Sequence, residues 1–403
     1  MIKREKYIQK IRPFINKDLI KVLTGMRRSG KSVMLDLIKE ELLSSEVDPS
    51  QFISINFENM NNTHLCDAIS LHNEIIKLSA SIKGKTYLFF DEIQEVKNWE
   101  KCINSLRIEL NCDIYITGSN ANLLSSELAT YLAGRYVEFV IYPFSFSEFI
   151  ELYNTITIHP GMTNQQLFNE YLMYGGMPYL ANLNYNKEAV NRYLLDLFNS
   201  VELKDIVKRN KIRDIDILER ILAFVTKNIG TTFSATSISK YLKNEGCSIS
   251  PETILNYIKA CVSAYLFYPV KRMDLRGKKV LTVNEKYYIA DHGIREAVYG
   301  GNQTDIQLVL ENIVYMELLR RGYTIHIGKI DNKEIDFICE KQNNKIYIQV
   351  TYLLASQETI DREFKVYDTI KDNYPKYVLS LDPFNMSQNG IIHRNIIDFL
   401  LEE

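Results

Sequence analysis

At 403 residues, with 46% hydrophobic and 24% charged side chains, the chain is long enough for two or three globular domains, each with its own core. A formal net charge of −2 excludes a global positive field aimed at nucleic acid or an anionic membrane, so any such surface must be local. The six cysteines are scattered without a C-x-x-C pair, and no apolar run approaches the roughly 18–20 residues of a bilayer span.

The opening MIKREKYIQK carries charge with no apolar stretch behind it, so it does not read as a secretory signal. A cytoplasmic protein with reduced thiols and no membrane partner is expected. The first buried-strand pattern is 19–24 (LIKVLT), which runs straight into Gly25-Met-Arg-Arg-Ser-Gly30-Lys31-Ser32, a match to G-x-x-x-x-G-K-[ST]. Met34, Leu37, Ile38 and Leu42 then recur at helical spacing. Strand, glycine loop and helix in that order are the setting in which backbone N–H groups wrap phosphates at a helix N-terminus. Lys31 then reaches the β and γ phosphates, and the Ser32 hydroxyl ligates Mg²⁺. ATP and Mg²⁺ are therefore the expected cofactors, bound by Gly25, Arg27, Arg28, Ser29, Gly30, Lys31, Ser32 and Val33. One of the two loop arginines is expected to be only solvated.

A second buried-strand pattern, 86–90 (TYLFF), ends in Asp91-Glu92, with another strand-like run at 52–57 between it and the loop in the chain. An acidic pair at the carboxyl end of a core strand suits Asp91 as the magnesium carboxylate and Glu92 as the group that polarises the attacking water. A third run, 113–117 (DIYIT), leads to Gly118-Ser119-Asn120. Ser119 or Asn120 would face the γ-phosphate, although a plain turn explains the same residues. Arg135 could stabilise transition-state charge in cis or from a neighbouring subunit; a surface arginine is the alternative.

The set TGMRRSGKS, FFDEIQEV with Trp99, ITGSN, LAGRY, YPFSFSEF and YGGMP resembles a prokaryotic group of AAA+-type ATPases. Members carry a winged-helix segment and a C-terminal domain with a restriction-endonuclease-like core. The resemblance implies Lys31 and Ser32 for phosphate and magnesium, Asp91 and Glu92 as the Walker B pair, Ser119 or Asn120 as sensor, and Arg135 as finger. For Gly175-Gly176-Met177-Pro178 it supplies no role beyond a tight turn.

From about residue 217 three short helical patterns follow, the last with Ser250 as N-cap and Pro251 at the first helical position. Strand-like runs at 266–272 and 279–283 then bracket a glycine turn, which completes a winged-helix layout. Its hairpin carries Lys271, Arg272, Arg276, Lys278 and Lys279, suited to phosphate contact with DNA. The preceding helix offers only Glu252, Asn256 and Lys259, poor material for reading bases, so a protein partner is an equal expectation.

The last segment has a helix pattern containing Glu311 and two strand patterns containing Asp336 and Gln349, in the order of a PD-(D/E)xK nuclease site. The second acid is the amide Gln349 and the lysine is Thr351, so the site reads as degenerate, with Lys365 as a conceivable substitute cation. The expected organisation is α/β: a parallel-sheet AAA+ domain at 1–204 whose helical extension spans about 145–204, a winged helix at 205–298, and an inactive nuclease-like domain at 299–403. The expected function is an ATP-hydrolysing regulatory or remodelling ATPase, with self-association if Arg135 acts in trans. The alternatives are a nucleotide-switched binding module and an ATP-dependent nuclease.

Overall fold

The computed structural model describes residues 2–124, 132, 134–156, 161–275, 277, 279–330 and 333–402. The chain divides into two compact units, Met1–Pro143 with Ser263–Tyr265, and Phe144–Val262 with Leu266–Glu403.

The first unit is built on five parallel strands, β1 (Ile20–Thr24), β2 (Phe52–Asn56), β3 (Thr86–Asp91), β4 (Cys112–Gly118) and β5 (Tyr136–Val140), in the spatial order β2-β3-β4-β1-β5. β1 and β3 are buried at every residue, which is why they read as unbroken apolar runs rather than alternating ones. Successive side chains still point to opposite faces. Val22, Leu88 and Phe90 meet Leu71, Trp99, Ile103 and Leu106 on one side, while Leu23 and Phe89 meet Met34, Leu37, Ile38 and Leu42 on the other. Lys21, fully buried in β1, is neutralised by Asp113 of β4, so one charge inside an apolar strand does not break it. In space β4 stands between β1 and β3, whereas β2, the strand between them in the chain, lies beyond β3 at the edge. All five run parallel, so the ends of β1, β3 and β4 reach the same sheet edge together.

The second unit holds β6 (Phe267–Asp274), β7 (Lys279–Ile289), β8 (Thr324–Ile330), β9 (Lys333–Lys341), β10 (Asn344–Val350), β11 (Lys376–Ser380) and β12 (Ile392–Asn395). They form one mixed sheet in the order β12-β11-β10-β9-β8-β6-β7, against which the deeply buried helix Ile306–Arg320 packs. The three helices expected upstream are Ile215–Lys227, Ala235–Asn244 and Pro251–Ser263. Their hairpin β6–β7 is not a free wing: β6 pairs in parallel with β8 and joins the large sheet. The two units divide at 143/144, and residues 145–204 lie in the second unit.

The Gly175-Gly176 pair acquires a physical reason. A Cβ on Gly175 would lie 2.2 Å from Asp291 Oδ1, and one on Gly176 would lie 2.3 Å from Phe144 O. The Gly176 N–H donates to Asp291 Oδ2 at 2.7 Å, and Asp291 also caps the helix His292–Tyr299. At Gly176 backbone meets backbone, and at Gly175 the Asp291 carboxylate takes the room a side chain would need.

Candidate nucleotide-binding site

The loop after β1 adopts the backbone that its glycines allow. Gly25 has φ +139°, where a Cβ would stand 2.3 Å from Ile141 O, and Gly30, at φ +98°, caps the helix Lys31–Ser44. The buried Arg4 braces this loop from behind, donating to Ser29 O at 3.1 Å and Tyr142 O at 2.9 Å. Lys31 is 4% exposed and curls into the loop, with Nζ donating to Gly25 O at 3.2 Å and Met26 O at 3.1 Å. It lies 3.8 Å from Glu92.

The ends of β3 and β4 meet this loop. Thr117 Oγ1 donates to Asp91 Oδ1 at 2.5 Å and accepts the Glu92 N–H at 2.8 Å, while Asn56 Nδ2 donates to Asp91 Oδ2 at 2.9 Å. Burial, with the Glu92 charge, raises the Asp91 pKa against hydrogen bonds from Thr117 and Ser32 and the charge of Lys31. For Glu92, burial works in the same upward direction, but the Lys31 charge, a hydrogen bond from Gln94, the Arg27 charge and a hydrogen bond from Ser119 outweigh it and lower the pKa. One carboxylate is thus held close to a hydroxyl, and its neighbour is kept ionised. Ser119 and Asn120 are both buried at the tip of β4, and Ser119 hydrogen-bonds Glu92.

Two features of this edge fit Mg-nucleotide. Ser29 Oγ is buried with no hydrogen-bond partner in a loop shaped for phosphate, and the Ser32 hydroxyl and Asp91 carboxylate adjoin as hard oxygen ligands. Arg27 turns to Glu58 at 3.2 Å, and Arg28 is exposed. Val33 is exposed on the first turn of the helix.

Arg135 precedes β5, and the Ile20 N–H donates to its carbonyl at 2.9 Å, so its backbone sits beside the start of β1, at the sheet edge opposite the loop. Five residues of strand at ~3.3 Å each set that backbone about 15 Å from the loop. Its side chain donates to Asn104 Oδ1 at 2.8 Å.

The hairpin cations are differently placed. Lys271 is exposed, but Arg272 is drawn to Glu334 at 3.3 Å. Arg276, Lys278 and the side chain of Lys279 lie outside the described residues. Glu252, Asn256 and Lys259 are exposed on the helix Pro251–Ser263.

Glu311, Asp336 and Gln349 do come together, with two partners the sequence reading missed. Lys286 of β7, 5% exposed, contacts Glu311 at 3.0 Å and Glu334 at 2.8 Å, and Tyr288 also donates to Glu311. Asp336 Oδ2 accepts the Val350 N–H at 2.8 Å, and Gln349 Oε1 accepts the Asp336 N–H at 2.7 Å. Gln349 Nε2 donates to Glu363 at 3.0 Å, and Glu363 is held by Arg362 at 2.8 Å. Glu311 Oε1, Asp336 Oδ2 and Gln349 Oε1 are each engaged by a protein donor, and no group of three His, Cys, Asp or Glu among the described residues is arranged to hold a metal. The residues do not fit a nuclease metal. Lys365 is exposed and paired with Asp361 at 2.7 Å, so it does not serve as the substitute cation.

Arg4, Asn56, Gln94 and Thr117 are site residues the sequence reading did not single out. Three of them lie inside or beside motifs that were noticed; Arg4 carries no local signal.

Residues 17–150 match the AAA domain family, and residues 165–305 match a domain of unknown function. An uncharacterized protein of Haemophilus influenzae is 39% identical over 100% of this chain and 99% of its own length. Another, from Methanocaldococcus jannaschii, is 32% identical over 91% of this chain and 81% of its own. Among solved structures, the Walker-type ATPase PABY2304 of Pyrococcus abyssi aligns with a TM-score of 0.52 at 16% identity, covering 73% of this chain and 95% of that one, which is likeness of fold. No described helix is long and apolar enough to cross a membrane. At 39% identity along its whole length, this chain belongs to the same family as the Haemophilus protein, and its residues 17–150 form an AAA-type P-loop ATPase domain.

Proposed function

We propose that the protein binds ATP with Mg²⁺ at the carboxyl edge of its parallel sheet and hydrolyses it, and that its second unit engages DNA or a protein partner. The observation that carries this reading is the convergence of Lys31, Asp91, Glu92 and Ser119 from β1, β3 and β4 on one edge. Lys31 leaves its loop carbonyls to pair with the β and γ phosphates, and the loop N–H groups cradle the remaining charge. Glu92, held ionised by Lys31 and Arg27, accepts a proton from the attacking water. Ser119 orients that water or the γ-phosphate. Magnesium held by Ser32 and Asp91 supplies neutralisation of the charge that develops on the phosphate oxygens. Exposed Lys271 and Lys259 offer phosphate contact without base readout, so DNA binding in this reading is salt-sensitive and indifferent to sequence.

Steady-state ATP hydrolysis with and without duplex or single-stranded DNA tests the reading, comparing wild type with Glu92→Gln. Turnover abolished by Glu92→Gln is the expected result, together with nucleotide binding lost in Lys31→Ala. Absence of ATP binding by the wild type would sink it.

The position of Arg135 favours a second reading, a nucleotide switch that turns over slowly as a single subunit. A finger arginine then has to come from a neighbour, and turnover per subunit rises with protein concentration.

A further inference from the structure

Glu92 does not owe its direction to a comfortable backbone. Its φ is +56° and ψ 49°, a left-handed conformation that a residue with a Cβ adopts only when its surroundings impose it. Thr117 fixes its N–H, and its carboxylate is met by Lys31, Ser119 and the side chain of Gln94.

Gln94 lies on the short turn Ile93–Glu95, half-buried beside the tip of β4. Its Nε2 donates to Glu92 Oε2, while its Oε1 is buried with no hydrogen-bond partner. The amide rests over Gly118. A Cβ there would stand 2.8 Å from Gln94 Oε1 and 2.7 Å from Leu123 Cδ2, so only glycine leaves the room. A buried amide oxygen without a partner is a standing penalty that a methyl-tipped side chain of the same size would avoid. Reversal of the amide would set oxygen against the Glu92 carboxylate, so the observed orientation is the one that donates.

We propose that Gln94 is a positioning residue for ATP hydrolysis. Its amide aims the Glu92 carboxylate, and its seat on Gly118 ties that aim to the strand tip bearing Ser119 and Asn120. The proposal rests on the ATPase reading above. The charged groups facing Glu92 are Lys31 and Arg27 from the loop and Asp91 from its own strand. Gln94 adds a donor to the ionised form without adding charge.

The test compares full-length wild type, Gln94→Met, which keeps the volume over Gly118 but donates nothing, and Gln94→Glu, which puts a like charge beside Glu92. The readouts are kcat, KM, affinity for a fluorescent ATP analogue and melting temperature. A misaimed general base is expected to lower kcat in Gln94→Met by about ten- to a hundredfold, and further in Gln94→Glu. KM, analogue affinity and melting temperature should stay within about twofold or a few degrees of wild type. An unchanged kcat in both variants would overturn the proposal, as would parallel loss of kcat, analogue affinity and melting temperature. Failure of the ATPase reading appears separately, as absent turnover in the wild type.

Discussion

Lys286→Met removes the ammonium that stands between two carboxylates and keeps most of the buried stem. In the native protein Nζ lies 3.0 Å from Glu311 and 2.8 Å from Glu334. Burial opposes the charge on Lys286, but the carboxylates of Glu311, Asp336 and Glu334 overcome it, and the pKa ends above the ordinary lysine value. A lysine raised in the folded state contributes stability that is fully present below its unfolded pKa and lost only as pH climbs through the folded value. The effect of the substitution should therefore be flat from about pH 6 to pH 9. Removing one partner of a buried pair costs ~3–5 kcal/mol. Glu334 is partly exposed and retains Arg272 at 3.3 Å, whereas Glu311 is left with Tyr288 alone, so the lower end, about 3 kcal/mol, applies. For a unit of this size that corresponds to a fall of roughly 6–12 °C in melting temperature. Thermal denaturation followed by circular dichroism reads it, with Glu311→Gln recovering part of the loss by removing the stranded charge. A fall under about 2 °C would refute the reasoning. So would stoichiometric Mn²⁺ binding, lost in Asp336→Asn, by protein whose nucleotide site is disabled by Lys31→Ala.

Glu202, on the π-helical turn Val201–Lys208, has a buried Oε1 with no hydrogen-bond partner, and burial, helped by Glu219, pushes its carboxyl up to about 7. A raised carboxyl pKa destabilises the fold as pH rises from the unfolded value through the folded one, so Glu202→Gln should raise the melting temperature at pH 8.5 and do much less at pH 5. Equal shifts at both pH values would contradict this. Gly176→Ala drives a Cβ to 2.3 Å from Phe144 O and disturbs the N–H donation to Asp291, so a loss of at least ~1–3 kcal/mol is expected. Wild-type melting behaviour would show that the backbone yields.

Much of the first unit was legible in the sequence. β1 and β3 are buried on both faces and therefore spell unbroken apolar runs, and the phosphate loop needs glycines at fixed offsets, which no other pressure supplies so specifically. The contacts of Thr117, Asn56 and Gln94 were not legible, because they depend on which strands are neighbours in space. The order β2-β3-β4-β1-β5 sets β4 between the loop and Asp91, and spacing along the chain cannot state that. The same limit hid Lys286. Its carboxylate partners Glu311 and Glu334 lie on the helix Ile306–Arg320 and on β9, and only the joining of β6 to β8 brings the hairpin to them. The place of Arg135 was hidden for a simpler reason: a motif gives a residue type, and the parallel register gives the edge on which it stands.

The two acidic clusters of this chain differ in what their donors and acceptors still have to offer. At the sheet edge of the first unit, Ser29 Oγ and Gln94 Oε1 are buried without partners, Glu92 sits in a left-handed backbone, and Lys31 donates to loop carbonyls it can exchange. Such unmet and strained groups reduce stability, and they persist where a ligand or a reaction gives them something to do. In the second unit Lys286, Tyr288, Val350 N–H and Asp336 N–H occupy the acceptors around Glu311, Asp336 and Gln349. Once an internal ammonium and protein N–H groups meet those acceptors, a divalent ion must displace bonds already made, and the helix, hairpin and sheet lose what holds them there. Acidic residues in nuclease order do not by themselves make a nuclease; their acceptors must also be open to a metal.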